Sequence, residues 1–191
     1  MLYQADRRPC GGAVSGLRRF RICCEVDEMP MRYSPTGLRA DTKLNRLHCE
    51  LPVPTAEWSA GAPLTYAAFC RDHWPVYARF GCVVAGSDDR GADLALEALR
   101  RLAGQWAVVL GSSSPSALAW DLLSTRAASW RTESVGRLHE ILERLEADAL
   151  VLRHRLGISA AQAAHAMGLT EAEFELLRTR ALHNLLLHSG P

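Results

Sequence analysis

From Leu64 onward, apolar residues return at steps of three and four, whereas the first sixty residues follow neither that period nor an alternation of two. Tyr66, Phe69, Val76, Phe80 and Val84 predict a helix opened by Thr65 as N-cap, with a kink or break near Trp74. The reason is Pro75, which removes a backbone donor and crowds the preceding turn. Ala92, Ala95, Leu99, Leu102 and Trp106 predict a second helix over about 90–106, with Asp88 and Asp89 as its capping groups. Ser114-Pro115 sets a capping hydroxyl before a proline at the first helical position, and a third helix follows through Leu118, Trp120, Leu122 and Leu123 toward Trp130.

Leu138, Ile141, Leu142, Leu145, Ala149, Leu152 and Leu156 then predict one long helix closed by Gly157. Ser159 with Gln162, and Thr170 with Glu173, both show the capping-box spacing. They open helices over 160–167 and from 171 to about 187, separated by Met167-Gly168-Leu169. Two helices this close, joined through a glycine, are what a helix-turn-helix needs to cross steeply. The fold class expected is all-α, with two small helical domains and a helix-turn-helix in the second. Residues 1–62, rich in proline and without periodicity, are expected to be a disordered leader. Residues 63–131 form the first domain, the polar stretch 132–136 a linker, and 137–188 the second domain.

The chain has 191 residues, 48% of them hydrophobic and 23% charged, which suits packed cores and excludes wholesale disorder. A net charge of +1 excludes a polybasic nucleic-acid or membrane binder. The six cysteines, at 10, 23, 24, 49, 70 and 82, form no Cys-x-x-Cys pair, so reduced thiols and a cytoplasmic location are expected. Arg18-Arg19-Phe20 is followed by Arg21, Glu25, Asp27 and Glu28 where an export signal needs an apolar run, and no stretch is long and apolar enough to suggest a membrane partner. Met29 and Met31 offer alternative translation starts.

Chemistry is sparse. Gly111-Ser-Ser-Ser lacks the lysine of a phosphate loop, and no Ser, Cys and His constellation forms a nucleophile elbow. The chain is expected not to be an enzyme and to need no cofactor. His48-Cys49 with Cys70 and His73 is the arrangement in which a metal site could be sought; Cys70 reads better as a small buried residue, and no metal is expected. Trp106 and Trp120 read as packing groups rather than base-stacking platforms.

Several motifs together resemble the bacterial RNA polymerase sigma factors of the extracytoplasmic-function group, over about 125 residues. Leu156-Gly157-Ile158-Ser159, Ala164, Gly168-Leu169-Thr170-Glu171 and Arg180-Ala181-Leu182 are similar to the family's region four, which reads promoter DNA. Phe69, His73-Trp74-Pro75, Asp93-Leu94, Glu97-Ala98-Leu99 and Ala119-Trp120 are similar to region two, which grips the polymerase. The resemblance implies core RNA polymerase and promoter DNA as partners, with an anti-sigma protein as a further one. It implies polymerase binding by Asp93, Leu94, Leu96 and Glu97, and DNA binding by Ser159, Gln162, Thr170, Glu171, Arg178, Arg180 and Arg126.

Departures from the family pattern frame a second reading. Leu96 stands where the family has Gln, Ser124-Thr125-Arg126-Ala127 keeps only the arginine of a longer pattern, and Glu173, Glu175 and Leu177 stand where Thr, Lys and Arg are usual. From Glu133 onward six arginines face eight acids, a balance of −2, where nucleic-acid readers carry a basic footprint. The alternative expectation is a degenerate sigma-like interaction module that modulates polymerase or a sigma partner without reading DNA.

Overall fold

Helix formation begins at Leu64, one residue before the expected cap. α1 (Leu64–Ala85) is preceded by Pro63, whose carbonyl accepts from the Tyr66 and Ala67 amides at 3.0 and 3.1 Å. Thr65 serves elsewhere: its Oγ1 accepts from Trp106 Nε1 at 3.1 Å. The break expected at Pro75 does not occur, and α1 runs through it. Pro75 is exposed while Trp74, Tyr77 and Ala78 beside it are buried. The missing backbone bond therefore falls on the solvent side, and apolar burial around it outweighs the roughly 3 kcal/mol a proline costs a helix interior.

The computed structural model describes residues 52–54 and 63–188, all within one unit spanning 41–191. The expected leader, 1–62, lies outside the described residues apart from 52–54, as do Met29, Met31, His48 and Cys49. Among the described residues every regular element is helical, in agreement with the all-α expectation. No helix among them is long and apolar enough to cross a membrane.

α2 (Asp88–Ala103) is capped by Ser87, which accepts from the Arg90 amide at 3.5 Å, so Asp88 and Asp89 occupy the first turn rather than the cap. It stops before Gly104, and the short α3 (Trp106–Leu110) follows, where one helix reaching Trp106 was expected. The interruption lets Trp106 meet the Tyr66 ring edge-on at 5.3 Å. α1 and α2 run antiparallel, tied by Tyr66 Oη donating to the Leu99 carbonyl at 2.8 Å and, near the other end, by the approach of Gly81 to Gly91. α4 (Pro115–Ala127) begins as its sequence predicts, with Ser114 Oγ accepting from the Ala117 amide at 3.2 Å. A 3₁₀ turn, Ala128–Trp130, closes it.

The stretch expected as a linker, 132–136, instead enters a helix, α5 (Glu133–Ile141). The long helix expected from Leu138 to Leu156 is also divided. α5 ends at Ile141, α6 covers Arg144–Leu150, and a wide π turn over Val151–Arg155 carries the Leu156 amide back to the Val151 carbonyl at 3.1 Å. The division has a polar cause. The buried Glu146 carboxylate accepts from the Glu143 amide at 3.4 Å, which makes Glu143 the start of a new helix although glutamate is a poor capping residue. Hydrophobic spacing alone passes over such a break, because Leu142 and Leu145 remain in phase on either side of it.

α7 (Ala160–Met167) and α8 (Glu171–His188) fall where the capping boxes place them. Residues before and after 132–136 share one buried cluster that runs from Tyr66 to Phe174 and centres on Tyr77, Phe80, Leu99, Trp120 and Leu152. Tyr77 Oη donates to the Ala166 carbonyl at 3.2 Å, Arg79 to the Leu156 carbonyl at 2.8 Å, and the Thr132 amide to the Val84 carbonyl at 2.8 Å. A smaller cluster of Leu142, Ala147, Leu150 and Ala181 seats α8 on α6.

Candidate nucleic-acid interface

The helix pair α7 and α8 is built by local chemistry. Ser159 Oγ accepts from the Gln162 amide at 3.2 Å and starts α7. Gly168 ends it with φ +69°, a left-handed conformation that glycine adopts without strain, and the Leu169 amide closes the turn on the Ala164 carbonyl at 2.9 Å. Thr170 and Glu173 cap α8 reciprocally. The Thr170 amide donates to the Glu173 carboxylate at 2.8 Å, and the Glu173 amide donates to Thr170 Oγ1 at 3.3 Å. Bonds from the Thr170 amide and hydroxyl hold the Glu173 carboxyl below its ordinary value. Gly168 also presses the turn against the start of α4: a Cβ there would lie 2.3 Å from the Ala117 nitrogen, and Ser114 Oγ donates to the Gly168 carbonyl at 3.3 Å.

Ser159, Gln162, Thr170 and Glu171 are all exposed, at the first turns of α7 and α8. The arginines are engaged internally. Arg178 Nε donates to Glu175 at 2.7 Å, and Arg180 Nε to the buried Glu146 at 2.7 Å with Glu143 a further 3.6 Å contact. Arg126 Nε donates to Glu97 at 2.9 Å, which joins a residue expected on DNA to one expected on polymerase. The other arginines beyond Glu133 are held too: Arg137 by Glu133, Arg144 by Asp121, Arg153 by the Ile158 carbonyl and Arg155 by Ser134. Burial, with Arg178 and Arg153 nearby, lowers the His154 pKa, so this ring adds no positive charge at neutral pH.

On α2, Asp93 is exposed and Glu97 half-exposed, whereas Leu94 is 3% exposed and belongs to the core. Leu96 packs partly against that core. Of the four residues expected to bind polymerase, only Asp93 and Glu97 therefore reach the surface, the latter also bonded to Arg101 at 3.1 Å.

Two polar groupings escaped the sequence reading. Asp148 is fully buried and accepts from Trp120 Nε1 at 3.2 Å, Ser124 Oγ at 2.5 Å and His139 Nε2 at 3.0 Å. Glu146 accepts from Arg180 and from Asn184 Nδ2 at 3.1 Å. The available signal was an acid at each of these positions inside the apolar run Leu145 to Leu152. Burial pushes the Glu146 carboxyl up, but the bonds from Arg180, Asn184 and the Glu143 amide outweigh it and hold the group below its ordinary value. A depressed carboxyl stabilises the fold at neutral pH, and that contribution is lost as pH falls through its folded value. Glu146→Gln should lower stability at pH 7 by about 2 kcal/mol and flatten the acid limb of a melting-temperature profile taken from pH 7 to 3. An unchanged acid limb would assign that limb to other carboxyls.

Of the residues weighed for a metal, His48 and Cys49 lie outside the described residues, and Cys70 and His73 have separate surroundings. Cys70 is buried against Tyr66, and burial pushes its thiol up to about 11, the setting of an inert packing thiol. His73 instead faces Asp72 and His165. Trp130 is 43% exposed, with the Arg90 guanidinium 5.7 Å from its ring centre. No family model, curated protein or solved structure matches the chain.

Proposed function

We propose that this chain is a sigma-factor-like transcription regulator that binds core RNA polymerase and promoter DNA to direct initiation. One observation carries the reading: α7 and α8 are joined by a short turn, the connection that a helix-turn-helix requires. α7 is eight residues long, the turn is closed by a left-handed glycine, and α8 starts with an exposed, reciprocally capped first turn. Such a turn leaves the start of the second helix free to enter a groove. Asp93 and Glu97 on α2 supply the acidic surface that would meet the polymerase, and an anti-sigma protein would compete for the same faces.

The test pairs two experiments on the full chain. Co-elution with core RNA polymerase should be lost in the Asp93→Ala, Glu97→Ala double variant. A promoter-fragment mobility shift should weaken steeply between 50 and 200 mM salt, as roughly six or more phosphate contacts would require. Arg178→Ala should reduce that salt slope by about one phosphate. Arg180→Ala is a poorer probe, because it also strips a partner from buried Glu146.

A second reading is favoured by the ion pairs. With Arg126, Arg178 and Arg180 each bonded to a carboxylate, and Glu171 and Glu173 on the exposed start of α8, the surface suits a protein partner better than phosphate. Polymerase co-elution without any mobility shift at low salt would establish this module, which modulates transcription without reading DNA. No co-elution and no shift, from folded protein, would overturn both readings.

A further inference from the structure

We infer that Arg79, Arg153 and Arg155 form one phosphate-contact surface for duplex DNA that spans the two expected domains. It rests on the DNA-binding reading above and lies ahead of α7 rather than on α8. Among the described residues, each of the three arginines bonds only to a neutral oxygen. Arg79 Nη2 donates to the Leu156 carbonyl at 2.8 Å, Arg153 Nη1 to the Ile158 carbonyl at 3.3 Å and Arg155 Nη1 to Ser134 Oγ at 3.0 Å. Such a bond orients a guanidinium without neutralising it and leaves it further N–H donors. Arg137, Arg144, Arg178 and Arg180, by contrast, each sit against a carboxylate.

The three cations gather around one stretch, 153–158, directly ahead of α7. The carbonyls that hold Arg79 and Arg153 are two residues apart, at most about 7 Å along the chain, and Arg155 adjoins the first of them. Exposed Gly157 lies between those carbonyls, with nothing within 4 Å of the place a Cβ would take, so a bulky backbone can come up to the loop. Arg153 and Arg155 are exposed and Arg79 is half-buried. The carboxylates near this stretch, Glu133 beside Ser134 and Glu175 facing His154, are taken by Arg137 and Arg178. The balance of −2 after Glu133 therefore hides a local excess of positive charge, which suits a duplex carrying one negative charge per about 1.7 Å of axis. Exposed Ser159 and Gln162 follow at once, side-chain types that also bond phosphate oxygens. Arg79 belongs to α1, in the expected first domain, yet the buried cluster shared by Tyr77, Phe80, Leu152 and Leu156 fixes it beside the other two. One short duplex is therefore gripped at one continuous place by residues from both sides of the expected linker.

Fluorescence anisotropy of the full chain with a labelled duplex of about 20 base pairs, titrated from 50 to 200 mM salt, tests the surface. A mixed sequence suffices, because phosphate contacts carry no sequence information. Arg79→Gln, Arg153→Gln and Arg155→Gln should each lower the salt slope by about one phosphate, and the triple variant by about three, with binding at low salt at least about tenfold weaker. Lysine at the same three positions keeps the charge and should keep the slope, a rescue that a merely structural role does not predict. A wild-type slope in the folded triple glutamine variant would overturn this surface and leave the DNA-binding reading standing. An Arg79→Gln variant that binds like wild type would overturn the composite surface by confining contact to the C-terminal helices. No binding by the folded wild-type protein at low salt would overturn both the surface and the DNA-binding reading.

Discussion

Gly91→Ala is expected to lose at least about 3 kcal/mol of stability. A Cβ at Gly91 would lie 2.2 Å from the Cys82 nitrogen and 2.4 Å from its Cα, and one at Gly81 would lie 2.4 Å from the Gly91 carbonyl oxygen. These neighbours are backbone, so no rotamer change relieves the overlap. The helices must part by more than 1 Å, which opens the cluster around Val84, Leu94 and Ala95. Gly136→Ala is the matched comparison. It lies inside α5 with nothing within 4 Å of its added methyl, so it should raise stability by about 0.5–1 kcal/mol by restricting the unfolded chain. Urea titrations of the two variants should move in opposite directions. A neutral or destabilising Gly136→Ala would place 132–136 back in a linker rather than a helix.

Asp148→Ala should cost about 3–5 kcal/mol, because removing one partner of a buried polar network leaves the others without acceptors. Trp120 Nε1 and Ser124 Oγ both reach Oδ2, and His139 Nε2 reaches Oδ1, so three elements, α4, α5 and α6, meet on one carboxylate. Asp148→Asn separates the contributions. Its amide oxygen can replace Oδ2 for Trp120 and Ser124, and its NH₂ can donate to His139 Nε2 while His139 Nδ1 donates to the Val135 carbonyl at 3.0 Å. The asparagine variant should therefore lose only about 1–2 kcal/mol. Equal losses in the two variants would mean that charge, and not acceptor geometry, holds the network.

The helices legible in the sequence were those whose ends carry their own chemistry. Ser114-Pro115, Ser159 with Gln162, Gly168, and Thr170 with Glu173 place the bounds of α4, α7 and α8 through contacts within four residues. The exposed positions Ser159, Gln162, Thr170 and Glu171 follow from the same caps. Burial of Trp106 and Trp120 was equally legible, because both lie on apolar helical stripes.

Elsewhere the outcome depended on partners far along the chain. Pro75 is tolerated because α1 is packed on its other sides, and the 142–143 break depends on Glu146 meeting Arg180 and Asn184 from α8. Arg126 and Arg180 look like free cations in sequence and are ion-paired in space, and His73, three residues from Cys70 on α1, finds its neighbours on α7 and at Ser116. Local capping and periodicity are encoded within one or two helical turns, so sequence alone determined the helical class and most helix starts. Which charges are neutralised, which histidines converge and where a helix yields to a buried carboxylate are set by contacts between elements, with partners up to 93 positions apart, and only the tertiary structure decided them.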